Sequence, residues 1–215
     1  MKKIERSSMR LHAYEMIKKA IITGELAPER RVRDAELSEL LGISRTPVRE
    51  AILRLEDEAF IVSKPNSYTM VAPIDLEEVR EAYTIVASLE ALAVRETVKH
   101  CNQTDIKMLV DLNAEYERAL QRKQSIEALE ADLAFHNEIV HLAKNDTLIK
   151  ILTPLRDKIV RVEYHYFNDH SPKEKSYQEH ERMIEAMRQK NESVAVKQIQ
   201  ENWMNSLEHL LKNYK

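Results

Sequence analysis

Two groups of side chains in this 215-residue chain have the types and spacing to do chemistry. The first lies in "ISRTPVREAILRL", residues 43–55. Arg45 and Arg49 stand four apart, so on a helix they project from one face. Val48, Ala51, Ile52 and Leu55 follow the i, i+3, i+4, i+7 pattern of a buried side. The guanidiniums therefore point outward from the N-terminal end of the helix, where a planar fork of donors can meet a guanine edge or a phosphate. Ser44, placed as the N-cap, and Thr46 lie at that same end and suit phosphate oxygens. Two arginines on a short helix also fit a merely solvated face, so their neighbours must decide. The second group is Asp132 and His136 in "EADLAFHNEIVHLAKNDTL", with His180 in "YQEHERMIEAM". The i, i+4 spacing lets Asp132 and His136 reach one point. A carboxylate and imidazoles from facing helices can hold a divalent cation in a bundle. Chance is the alternative: the chain has 8 histidines, and His180 reads equally well as a surface residue.

The elements that position the first group follow from local signals. Residues 8–23 place Leu11, Tyr14, Ile17 and Ile21 on one helical face, ended by Gly24 and Pro28. "RDAELSELLG" predicts a second short helix with Ala35, Leu37, Leu40 and Leu41 on its apolar side, stopped by Gly42. Ser44 then starts the arginine-bearing helix, and Pro47 falls in its first turn, where a missing N–H is harmless. The β-formers of Ile61–Ser63 and Tyr68–Val71, with a turn over Lys64–Ser67 that includes Asn66, predict a hairpin. Helix, turn, helix and hairpin make a winged helix, and this context favours the groove-reading role for Arg45 and Arg49. Arg30, Arg31, Arg33 and the wing's Lys64 can add phosphate contacts. "APID" at 72–75 reads as a linker, with Asp75 as a cap. Beyond it, helices are predicted at 76–100, 104–123, 126–143, 146–169, 173–190 and 192–213. The breaks between them include "KND" and "NDHSP". Short connections predict an antiparallel bundle.

Composition agrees. With only 2 glycines, 6 prolines and 32% charged residues, the chain is expected to be mostly α. Net charge is −3, unevenly spread: residues 1–72 hold 13 Lys/Arg against 11 Asp/Glu, and residues 73–215 hold 20 against 25. The single cysteine, Cys101, makes no internal disulfide and suits a reducing cytoplasm. No apolar run is long enough to span a bilayer, so no membrane partner is expected.

"AELSELLGISRTPVREAILRLEDEAFI" closely resembles the signature of GntR-family bacterial transcription regulators, over about residues 8–72. The resemblance implies that Arg45 and Arg49 are the main DNA-contacting residues. Three departures stand out: Pro28 precedes Glu29 where the family often has Pro-Gly, Ala59 replaces the usual Gly before the wing, and the wing turn lacks its Gly. Downstream, "D...FH", then Asn145 and Leu148, then "EH...I..AM" resemble the helical ligand-binding domain of the FadR-like branch, called FCD. This implies a metal held by one Asp and three His beside a cavity for a small organic acid. The first three ligands map onto Asp132, His136 and His180. The fourth position holds Asn202, a weaker and harder ligand. Zinc or nickel would then bind less tightly, manganese would be favoured, or the site would hold no metal. The family's carboxylate-gripping Arg corresponds to Val86 before Leu89-Glu90. Arg156 or Arg161 can replace it or serve as an ion-paired structural residue, and Arg161 is the preferred candidate.

The expected architecture is an N-terminal winged helix-turn-helix domain (1–72) and a C-terminal all-α domain of about six helices for effector binding and dimerisation (73–215). The expected function is a ligand-responsive repressor. It would bind a near-palindromic double-stranded DNA operator as a homodimer, with a small organic acid or related metabolite as effector. The alternative is a helical metal-dependent hydrolase built on Asp132, His136 and His180. Against it, the chain has no general base at a fixed spacing from these residues, with Glu138 or Glu163 only near in sequence, no nucleophile elbow and no phosphate-binding glycine loop.

Overall fold

The structure, a computed structural model, describes residues 6–65, 67–166 and 174–213. The chain divides into two compact units after Asp75. The first contains helices α1 (Arg6–Ile22), α2 (Asp34–Leu41) and α3 (Arg45–Asp57) and strands β1 (Ile61–Lys64) and β2 (Tyr68–Val71). Val48, Ala51, Ile52 and Leu55 of α3 are buried against Ala13, Tyr14, Ile17 and Ile21 of α1, with Leu37, Phe60, Ile61 and Val71 completing the core. Three residues expected on apolar faces, Leu11, Ala35 and Leu40, are not in it. Leu11 is 47% exposed and Leu40 is 73% exposed. On α1 the buried stripe runs through Ala13 instead, whose small side chain permits close approach to α3. Helix α2 has only two turns and buries one row, Leu37 with half-buried Leu41. Leu40 and Ala35 therefore face outward.

Ser44 occupies the N-cap of α3 with extended backbone, but its side chain makes no capping hydrogen bond. Gly42 takes a left-handed conformation at the end of α2 (φ 65°), where a glycine avoids the Cβ penalty. Two positions where the family resemblance places glycine also need left-handed backbone: Glu29 has φ 64° and Ala59 φ 61°. Ala59 ends α3 in a Schellman motif. Its N–H donates to Glu56 O at 2.9 Å, and that of Phe60 donates to Leu55 O at 2.8 Å.

The wing is an antiparallel pair with Ile61 opposite Val71 and Lys64 opposite Tyr68. Ser67 N–H closes the turn on Lys64 O at 3.0 Å. Asn66 lies outside the described residues. The segment before α2 adds to the outer edge of β2 through Val32 N–H to Thr69 O and Val71 N–H to Arg30 O, both 2.9 Å. Periodicity gave no sign of this third edge, because the segment is only a few residues long.

The second unit contains α4 (Leu76–His100), α5 (Gln103–Gln121), α6 (Ser125–Leu142), α7 (Asp146–Tyr166), α8 (Glu174–Arg188) and α9 (Glu192–Asn213). Helix α4 packs on α6, α7 and α9, while α8 bridges α5 and α9. Asp75 immediately precedes α4. Asn102 and Asp105 form a reciprocal capping box on α5. Asn145 accepts the N–H of Leu148 at 3.0 Å at the start of α7. Lys123, Lys144 and Lys190, all with positive φ, follow the ends of α5, α6 and α8. The expected end of α7 at 169 and the "NDHSP" break fall outside the described residues. Among the described residues no helix is long and apolar enough to cross a membrane.

Candidate nucleic-acid interface and metal centre

The orientation of α3 is fixed from behind by Glu58. Its carboxylate accepts from Tyr14 Oη at 2.7 and 2.9 Å, Lys18 Nζ at 2.8 Å and Arg54 Nε at 3.0 Å. The Arg54 guanidinium also lies 3.6 Å from the centre of the Tyr14 ring, a cation–π contact. Helix α1 is thus pinned to the far end of α3, and the near end is left to solvent.

At that near end Arg45 and Arg49 have side chains 56% and 65% exposed. Both meet Asp34, the first residue of α2. Arg45 Nη2 donates to Oδ1 at 2.8 Å and Arg49 Nε to Oδ2 at 2.5 Å. The Arg45 hydrogen bond, with help from Arg49, lowers the Asp34 carboxyl to about 2. A groove of about 630 Å³ runs between α3 and the wing, lined by Arg31, Arg33, Arg45, Arg49, Lys64 and Tyr68 among others. The Arg31 guanidinium sits 5.8 Å from the Tyr68 ring centre. Of the other expected contacts, Ser44 and Thr46 are exposed at the N-terminus of α3, and Arg30 pairs with Glu36 at 2.7 Å. Several positive side chains beside a groove attract a polyanion of any sequence. The exposed arginine forks that line it add the means to read base edges.

In the second unit, ligand atoms of Asp132, His136 and His180 all lie within 4.8 Å of one another. Both histidines are buried. His136 Nδ1 is 2.8 Å from Glu90 Oε2, and His180 Nδ1 is 3.0 Å from Asn113 Oδ1. Each of these oxygens only accepts, so each Nδ1 carries the proton and each Nε2 presents a lone pair. The Nε2 atoms face Asp132, at 3.9 Å for His136 and 3.6 Å for His180. These separations are too long for hydrogen bonds and suit a shared ion between the groups. The Phe135 ring stacks on His180 at 4.0 Å and Trp203 lies 4.8 Å from His136, which restricts both imidazoles. Burial lowers the His136 pKa, but Glu90 and Asp132 outweigh it and the net shift is upward. The same negative field favours a metal cation. One carboxylate with two oriented imidazoles therefore fits a divalent ion.

Glu90 is fully buried and bridges His136 to Arg156, whose Nε donates to Oε1 at 2.6 Å and whose Nη2 donates to the same oxygen. Arg156 Nη1 also reaches Asn137 Oδ1 at 2.5 Å. Arg156 is thus ion-paired within the bundle. Arg161 is buried and its pKa is lowered by that burial. Asn202, the expected fourth ligand, is buried and donates its amide to Glu179 Oε2 at 2.9 Å. Val86 is fully buried. Glu163 is also buried and accepts from Tyr83 Oη at 2.9 Å. Glu90, Asn113 and Asp34 carry no expected role from spacing. For the first two the usable signal is a polar residue inside an apolar stripe: Glu90 between Val86 and Val94, and Asn113 between Leu109 and Tyr116.

A winged helix with a basic groove, followed by a helical bundle with a buried carboxylate–imidazole cluster, defines the chain as a transcription regulator with a separate helical body. Residues 9–71 match the model of bacterial regulatory proteins of the gntR family, and residues 81–204 match the FCD domain. The chain belongs to the gntR family of regulators that carry an FCD domain. It is 27% identical over 203 residues to YdhC of Bacillus subtilis (strain 168), an uncharacterized HTH-type transcriptional regulator, covering 93% of this chain and 90% of that one. It is 24% identical over 178 residues to the HTH-type transcriptional repressor RspR of Escherichia coli (strain K12), covering 83% and 78%. The fold superposes on E. coli McbR/YncC with a TM-score of 0.84 at 23% identity, covering 97% of this chain and 99% of that one. These relatives are regulators, not enzymes, and the metallohydrolase alternative finds no support among them.

Proposed function

We propose that the protein is a metabolite-responsive repressor that binds a near-palindromic double-stranded operator as a homodimer. The observation that carries this reading is the placement of Arg45 and Arg49 on the exposed end of α3, lining a basic groove shared with the wing. In this reading Arg45 and Arg49 contact base edges, while Arg33, Ser44, Thr46 and Lys64 contact the sugar–phosphate backbone. Two-fold symmetry sets one recognition helix on each half-site. RspR, described as a repressor, supports the direction of the effect.

Asp132, His136 and His180 hold a divalent ion, zinc, nickel or manganese, with Asn202 as a fourth donor through its amide oxygen. When bound, such an ion supplies a positive centre for an oxygen of an organic acid or related metabolite. Glu90 and Asn113 fix the imidazole tautomers, and Arg161 is the candidate cation for the effector. The effector alters repression only if it binds the DNA-competent and DNA-incompetent arrangements of the dimer with different affinity.

The test is an electrophoretic binding assay on the DNA upstream of the protein's own gene. Salt-sensitive, sequence-specific binding is expected. Arg49→Ala should weaken it by roughly 5- to 150-fold, the worth of a bidentate base contact. Binding that ignores sequence, or that survives Arg49→Ala unchanged, sinks the proposal.

A further inference from the structure

Asp34 stands among the groove's cations without being one of them. It opens α2, where unsatisfied N–H groups and the positive end of the helix dipole favour a carboxylate. Its side chain is 19% exposed, with both guanidiniums lying on its carboxylate. The two bonds differ in kind. Arg49 is held at Nε, which leaves its two terminal nitrogens outside the pair, side by side. That is the fork that matches the O6 and N7 acceptors of guanine. Arg45 is held at Nη2, one arm of its own fork.

We propose that Asp34 is a specificity-determining positioning residue. It presents Arg49 as a pre-set fork to a guanine edge, and it occupies one arm of Arg45, which turns to DNA only where a base edge offers a better acceptor pair than the carboxylate. The inference rests on the reading of α3 as the DNA-contacting helix. It has a second consequence. Long cationic side chains left to themselves settle on any phosphate. A carboxylate placed between them repels phosphate oxygens and restrains both guanidiniums before DNA arrives, so non-specific binding is suppressed while the matched site is kept.

The full-length protein, Asp34→Asn and Asp34→Glu are each used to select duplexes from a random-sequence library. Affinities for the wild-type-selected duplex and for a scrambled one are then measured by fluorescence anisotropy at low and high salt. Asn keeps the size and one acceptor oxygen but removes the charge. Asp34→Asn is expected to bind the scrambled duplex several-fold more tightly and the selected duplex no better than wild type. Its specificity ratio should fall by about tenfold, with base preference lost at the guanines, and Asp34→Glu should recover part of the ratio. If Asp34 is only a strut for α2, both affinities fall together and the ratio holds, which overturns the proposal. An Asp34→Asn chain that has lost its helical circular dichroism also overturns it, in favour of a purely structural role. If wild type selects no motif, the DNA-reading role of α3 fails and Asp34's role with it. If wild type and Asp34→Asn select the same motif with the same ratio, the Asp34 proposal fails alone.

Discussion

Glu90 allows a quantitative test of how the bundle is held together. Its carboxylate is completely buried and accepts from Arg156 on one oxygen and from His136 Nδ1 on the other. Glu90→Gln preserves shape but removes the charge. It also replaces one acceptor with an NH2 group, which must then face an N–H donor. Arg156, itself buried, loses its counter-ion. Removing one partner from a buried pair costs about 3–5 kcal/mol, most of it the penalty of the charge left behind. Replacing both partners with apolar groups of similar volume is far milder. Glu90→Gln should therefore lose about 3–5 kcal/mol, and Glu90→Leu/Arg156→Met should be more stable than the sum of its single variants implies, by about 1–3 kcal/mol. The assay is equilibrium urea denaturation of all five chains, wild type included, with chelator present and protein concentration fixed, read by circular dichroism. A loss below about 1 kcal/mol for Glu90→Gln, or additive losses in the cycle, would refute the hub role assigned to this pair.

Three further outcomes are expected. Protein purified without chelator should contain metal, and zinc or manganese should raise its melting temperature. Asp132→Ala or His180→Ala should abolish that gain, and a gain that survives both substitutions would place the ion elsewhere. Ala59→Gly should stabilise the winged helix by about 1 kcal/mol, because it relieves a left-handed alanine that bears no core contact. A destabilised variant in urea melts would contradict the Schellman geometry. The Asp34 carboxyl should titrate at about 2 by carbon NMR, below its reference 3.8. Because the folded value is the lower one, Asp34 contributes stability that is present above pH 4 and lost as pH falls toward 2. A midpoint at the reference value would mean that the arginines do not hold it in solution.

The winged helix was legible because its signals are local. Val48, Ala51, Ile52 and Leu55 repeat at the helical period, Gly42 stops α2, and β-formers flank a turn. Leu11 and Leu40 misled for a physical reason. An apolar residue on a helix is buried only where a neighbour covers it, and α1 turns Ala13 toward α3 while two-turn α2 covers a single row. The second unit's triad was named in full, by two routes. The i, i+4 spacing joined Asp132 to His136, while His180 on α8 was linked to them by the FCD resemblance and by facing helices rather than by any spacing. The residues that orient those imidazoles, Glu90 and Asn113, come from α4 and α5, and no short-range rule links them. Nor does any spacing rule join Asp34 to arginines 11 and 15 positions away. Glu29 and Ala59 looked like simple departures from a glycine pattern. The backbone shows instead that they keep the turn and bear its strain.

The Glu90 pair also bears on how movement passes through the bundle. One carboxylate on α4 is bolted to α6 through His136 and to α7 through Arg156. A shift of α6 alone, such as tightening Asp132 and His136 around a ligand, would part Glu90 from His136 and leave a buried polar group without its partner, which is costly. The buried pair thus ties α4, α6 and α7 together. Of these, α4 is also the helix into which the chain passes directly from Asp75.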